Sequence, residues 1–211
     1  MIPTKEEMYA ALVERHGAEL QKKLSEASVA VCGLGGLGSN IAFALARAGV
    51  GRLHIIDFDN VDISNLNRQQ YFADQIGIPK TEALFANLKR IAPYIEIKRE
   101  CVKLTEENIP YLLDGDSIIA EAFDKADQKA MLVNAVLENF PQKYLVSGSG
   151  MAGIAPSNMI TTRRISKRFY LCGDGVSDIS DGMGLVSSRV LLCAAHQAHA
   201  VIRIIAEEYE I

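Results

Sequence analysis

The sequence has no apolar run approaching the roughly 20 residues that a bilayer-spanning helix needs, so no helical membrane span is expected. It has no C-x-x-C pair: Cys32, Cys101, Cys172 and Cys193 are scattered, which argues against a thioredoxin-like motif and against zinc held by local cysteine pairs. Cys32 closes an apolar strand and Cys101 falls in another, so both read as buried small hydrophobes, and disulfides are not expected. Excess basic charge is also missing. With a net charge of −4, a general nucleic-acid partner is not expected, because backbone phosphates call for a basic surface. Residues 1–7, MIPTKEE, lack a basic stretch followed by an apolar one, so a cytoplasmic location is expected. Repeats and low-complexity segments are absent.

What is present is an alternation. Apolar strands are expected at 28–32, 52–57, 95–98, 117–120 and 144–147, with helices over 39–48, 81–92 and 127–140 and a short one opening at Thr105. That order predicts an α/β fold, a Rossmann-like doubly wound sheet that is mostly parallel. After Gly153 the runs shorten to strands at 159–164 and 168–171, then a glycine- and aspartate-rich loop over 173–184 and a long last helix over about 185–208. Residues 5–25 read as one helix. The 211 residues are expected to form a single domain: an N-terminal helical arm (1–25), a nucleotide-binding part (26–150) and an antiparallel extension with the loop and the C-terminal helix (151–211).

Four features fall at expected strand ends, where open α/β folds collect ligands. Gly33-Leu34-Gly35-Gly36-Leu37-Gly38 joins a buried strand to a helix. Gly33 permits the tight turn, Gly35 lets backbone approach a phosphate, Gly38 lets the helix pack on the strand, and the helix aims its unpaired N–H groups at an anion. Asp57-Phe58-Asp59 ends the next strand, where Asp57 is placed to accept ribose hydroxyls; a solvated strand end is the plainer alternative. Arg68, within Asn65-Leu66-Asn67-Arg68-Gln69-Gln70, and Lys80, after Pro79, together suit a triphosphate tail, although each taken alone reads as an exposed charge. Asp124 suits Mg²⁺, which takes one or two carboxylates with phosphate oxygens, and reads equally as the N-cap of the helix beginning near Asp127. The glycine turn alone would leave an NAD-dependent oxidoreductase as the default.

Other clusters read as structural. His196 and His199 lie three apart on the last helix without an evident third ligand. Arg163, Arg164, Lys167 and Arg168 suit a solvated hairpin or an acidic partner. Ser149 lacks the G-x-S-x-G spacing of a hydrolase nucleophile.

The segments GLGGLG, DFDNVDISNLNRQQYF, IPK and AFDKAD, in this order and spacing, resemble the ThiF/MoeB/HesA family of ubiquitin-activating-enzyme-like adenylyltransferases over about 24–205. AFDKADQKAMLVNAVLE and YLCGDGVSDISDGMGL are most similar to its compact, zinc-less bacterial ThiF branch. The resemblance implies ATP and Mg²⁺ as cofactors, no structural zinc, a homodimer, and a ThiS-type sulfur carrier of thiamine-thiazole synthesis as partner. It also implies release of pyrophosphate as the carrier's C-terminal glycine carboxylate becomes an acyl-adenylate; another carrier (MoaD-like), a peptide or a tRNA are alternative substrates. Position by position it assigns Gly33, Gly35, Gly36 and Gly38 to the phosphate turn, Asp57 to ribose, Arg68 and Lys80 to phosphates and Asp124 to magnesium, with Asn65 and Gln69 in the same pocket. Relatives' N-terminal arginine, which enters the neighbouring subunit's ATP site, has Arg15 as its nearest counterpart, and Cys172 is the one position suited to a persulfide link.

Overall fold

The computed structural model describes residues 2–210, and of Asp181 the backbone alone; Met1 and Ile211, the ends of the expected arm and extension, lie outside the described residues. Seven strands form one sheet: β1 (Ser28–Cys32), β2 (Arg52–Ile56), β3 (Glu96–Glu100), β4 (Ile118–Glu121), β5 (Tyr144–Gly148), β6 (Thr161–Ser166) and β7 (Phe169–Gly173), in the order β3-β2-β1-β4-β5-β7-β6. Every neighbouring pair is parallel except β6 with β7. The strand order reverses between β1 and β4, so β1 opens directly into the crevice where such folds bind ligands.

Alternation along β1 divides the core. Val29 and Val31 face α3 (Gly36–Ala48), α4 (Lys80–Ile91) and α7 (Ser187–Ile205); Ala30 and Cys32 face α5 (Ile109–Leu112) and α6 (Ala126–Asn139). Both faces are covered, and β1, β4 and β5 are buried along almost their whole length.

The arm differs from expectation. Instead of one helix over 5–25 there are two, α1 (Lys5–His16) and α2 (Ala18–Glu26), separated at Gly17, whose φ of 89° no helix accommodates. Thr4 and Glu7 form a reciprocal capping box on α1, and none of its residues is buried. Cys101 lies just past the end of β3 and is exposed, not a buried strand residue. The helix expected to open at Thr105 begins at Ile109, because Thr105 and Asn108 bond each other's backbone in a turn. β6 starts at Thr161, after a 3-10 turn over Ser157–Met159 behind Pro156.

Candidate active site

The first turn of α3 organises the crevice. Gly33 has a φ of +90°, and a Cβ there would meet Phe123 Cδ1 at 2.8 Å and the Ala122 carbonyl oxygen at 2.9 Å. A Cβ on Gly38 would come within 1.8 Å of the Gly33 carbonyl oxygen, so only glycine lets the helix lie this close to its own turn. Gly35 has open space on its cavity side, the Gln69 Nε2 at 3.8 Å being the nearest atom to such a Cβ.

Asp57 ties the turn to β2. Its Oδ2 accepts the Leu34 N–H at 2.6 Å and its Oδ1 the Asp59 N–H at 2.8 Å. Burial raises the carboxyl above its ordinary value, against the pull of Lys80 and of the backbone donors. Each carboxylate oxygen keeps a second lone pair for a hydroxyl donor. The solvated strand end does not fit, since Asp57 is buried.

The loop from Asp62 to Tyr71 is stitched to α3 by side chains. Asp62 caps a 3-10 turn over Ile63–Asn65 while Asn65 Oδ1 accepts the Asp62 N–H. Asn40 donates to the Arg68 carbonyl at 3.0 Å, Ser39 Oγ accepts the Gln70 N–H, and the Tyr71 hydroxyl donates to the Leu34 carbonyl at 2.8 Å. These bonds bring Arg68 over Gly36. Its guanidinium donates to the Ser64 carbonyl and to Asn67 Oδ1, while its buried Nε has no partner. Lys80 is not the exposed charge it resembles when taken alone. As the first residue of α4 it is 6% exposed, 2.9 Å from Asp59 Oδ2 and 4.0 Å from Asp57 Oδ2, and those carboxylates offset the unfavourable helix dipole.

Asp124 is exposed at the same cavity, and no hydrogen bond or ion pair holds it among the described residues. It does not cap α6, whose N-cap is Lys125 without a side-chain bond. Gly33, Gly35, Gly36, Asp57, Asn65, Arg68, Gln69, Lys80 and Asp124 all line one cavity of about 1190 Å³; Gly38 lies behind it, packed against Gly33. No cluster of three or more metal-ligating side chains occurs among the described residues. A lone accessible carboxylate facing a basic cradle fits magnesium that arrives with phosphate oxygens rather than a cage built by protein alone.

The sequence pattern missed several buried residues that support the cavity from behind. Glu121, fully buried at the end of β4, pairs with Lys129 of α6 at 3.0 Å; its signal was a single carboxylate inside the apolar run SIIAEAF. Asp174 and Arg189 form a buried pair at 2.5 Å, and Arg189 also holds the carbonyls of Ala152, Ala155 and Pro156, fixing the loops at the cavity mouth to α7. Burial alone would push the Asp174 carboxyl up, but the Ser177 and Val176 N–H groups and Arg189 hold it at about 2. Cys172 is buried, and that burial pushes its thiol up to about 11, so it is neither accessible nor activated for a persulfide. Arg15 is exposed on α1, and His196 bonds Thr162 Oγ1 at 3.0 Å.

A sequence model of the ThiF family matches residues 9–210. The sulfur carrier protein adenylyltransferase of Thermus thermophilus is 34% identical over 136 residues, 64% of this chain and 45% of that protein. The tRNA threonylcarbamoyladenosine dehydratase of Bacillus subtilis is 35% identical over 154 residues, 72% of this chain and 59% of that protein. The chain spans between 30% and 59% of the length of such curated relatives. In fold, it superposes on the E. coli tRNA N6-threonylcarbamoyladenosine dehydratase solved with ATP at a TM-score of 0.86 and 21% identity, covering 99% of this chain and 98% of the other.

Proposed function

Because the chain belongs to the ThiF family, we propose that it is an ATP-dependent adenylyltransferase that activates the C-terminal glycine carboxylate of a ThiS-type sulfur carrier for thiamine-thiazole synthesis. One observation carries the reading: buried Lys80, Arg68 and unbonded Asp124 line a single cavity with the glycine turn.

The chemistry follows from that placement. The N–H groups opening α3 and the Arg68 and Lys80 cations bind the polyphosphate, and Asp57 receives the ribose. A carboxylate oxygen of the carrier attacks the α-phosphorus. The bond from that phosphorus to the bridging oxygen breaks, and pyrophosphate leaves with the electron pair. Arg68 and Lys80 neutralise the charge that gathers on the leaving group, and no protein nucleophile is needed. Asn65 and Gln69 line the ATP pocket with Arg68, and Asp124 would hold magnesium, which would supply further charge neutralisation when bound. We read the enzyme as a cytoplasmic homodimer in which Arg15 is the residue nearest to serving a neighbouring site.

An NAD-dependent oxidoreductase would share the glycine turn and Asp57 but leave Arg68, Lys80 and Asp124 without roles. The second reading is the same activation directed at a carboxylate-bearing tRNA nucleoside; the full-length likeness in fold favours it, and the net charge of −4 weighs against it. Exchange of labelled pyrophosphate into ATP, run with ThiS-type and MoaD-like carriers and with tRNA beside an NAD-binding assay, separates the readings. Exchange that depends on the ThiS-type carrier supports the first reading. Exchange only with tRNA supports the second, and tight NAD binding without exchange defeats both.

A further inference from the structure

Asp124 presents a difficulty for its proposed role. A carboxylate that positions a metal ion is ordinarily oriented by hydrogen bonds of its own, and Asp124 has none. Its orientation must come from the backbone that carries it, and that backbone is held from both sides by one buried group.

Glu121 is completely buried at the last position of β4, beside Cys32 of β1. Its Oε1 accepts the Phe123 N–H at 2.7 Å, one residue before Asp124. Both carboxylate oxygens accept from Lys129 Nζ, at 3.1 and 3.0 Å, five residues after it. The Ser147 hydroxyl, from β5, donates to Oε2 at 2.5 Å and completes the shell. Phe123 in turn packs against Gly33, where a Cβ would meet its ring at 2.8 Å. One carboxylate thus links the glycine turn, the Asp124 turn and the start of α6. Core packing alone does not call for this arrangement, since apolar side chains of similar volume generally replace a buried ion pair without loss of stability. The pair is placed where Lys129 also forms part of the cavity wall.

We infer that Glu121, held by Lys129, is a positioning residue that fixes the 123–125 turn and so sets where Asp124 meets a divalent cation carried by the nucleotide's phosphates. The inference rests on the adenylyltransferase reading for its ligand. It separates two kinds of nucleotide binding. AMP without metal uses the glycine turn and Asp57, whereas Mn²⁺·ATP also needs Asp124 in place.

The test measures both by titration, AMP affinity by calorimetry in EDTA and Mn²⁺·ATP affinity by electron paramagnetic resonance, with thermal melts to verify folding. In Glu121→Gln, Mn²⁺·ATP affinity is expected to fall about tenfold or more while AMP affinity stays within about twofold. Lys129→Met, whose side chain ends at the cavity wall, is expected to behave the same way and carries the test if Glu121→Gln does not fold. Lys129→Arg is expected to retain wild-type affinities. Unchanged Mn²⁺·ATP affinity in a folded variant, or a parallel fall in AMP affinity, overturns the positioning role. Wild-type protein that binds neither ligand overturns the adenylyltransferase reading itself, and this inference with it.

Discussion

The two ends of the sheet bury similar residues and use them differently. At the amino end, Asp116 accepts from the Ser28 hydroxyl at 3.0 Å and pairs with His54 Nδ1 at 2.7 Å, Arg52 donates to Ser28, and Lys143 donates to the carbonyls of Leu113 and Asp114. Those side chains bond one another and fasten β1, β2 and the approach to β4. At the carboxyl end, Asp124 keeps its whole carboxylate, and Arg68 and Lys80 line a large cavity. Buried charge at the amino end only closes the structure; at the carboxyl end the Glu121–Lys129 and Asp174–Arg189 pairs do the same while Arg68, Lys80 and Asp124 line the cavity. The contrast accords with the rule that open α/β sheets bind ligands beyond the carboxyl ends of their strands.

Substitutions at the two ends should therefore separate activity from stability. Asp124→Asn is expected to lower pyrophosphate exchange by about 100-fold or more. Its unfolding free energy should stay within about 0.5 kcal/mol of wild type in urea melts, because no protein contact is lost. Asp116→Ala is expected to do the reverse, costing about 3 kcal/mol by stranding His54 and Ser28 while AMP affinity is unchanged. If both variants lose stability and activity together, the division between the ends is wrong.

The Asp174 pair, at the mouth of the site, lies between these extremes. Its folded value of about 2 is below the ordinary 3.8, so its contribution of about 2 kcal/mol is fully present above pH 4 and is lost as pH falls through about 2. Denaturant midpoints measured from pH 5 downward should show that loss, and Asp174→Asn should flatten it. The smallest effect concerns thiols. Cys101 should react with a thiol reagent in the native protein, whereas Cys32, Cys172 and Cys193 should react only on unfolding.

The α/β alternation, the parallel sheet and the antiparallel addition near its end were all legible in the chain, because the central strands are short apolar runs between turn signals and β3 shows apolar–polar alternation. The glycine turn, Asp57 and Asp124 were readable as site candidates from residue type and place in the alternation, whereas Arg68 and Lys80 taken alone read as exposed charges and Asn65 and Gln69 came only through the family resemblance. Pairings between distant segments were not legible. Glu121 finds Ser147 across 26 positions and Asp174 finds Arg189 across 15, and nothing local announces such partners. The break at Gly17 was hidden by helical periodicity on both sides, since one glycine is compatible with a helix or with its end. Cys101 was misplaced because residue type suggested burial, while the strand ends one residue earlier.

The decisive assay is pyrophosphate exchange with purified protein, Mg²⁺, ATP and a ThiS-type carrier ending in a free glycine carboxylate. Label from pyrophosphate is expected to enter ATP only when that carrier is present, with Lys80→Met and Asp124→Asn each lowering the exchange by about 100-fold or more. Absence of exchange with every ubiquitin-like carrier tried, together with tight binding of NAD, would contradict the adenylyltransferase reading.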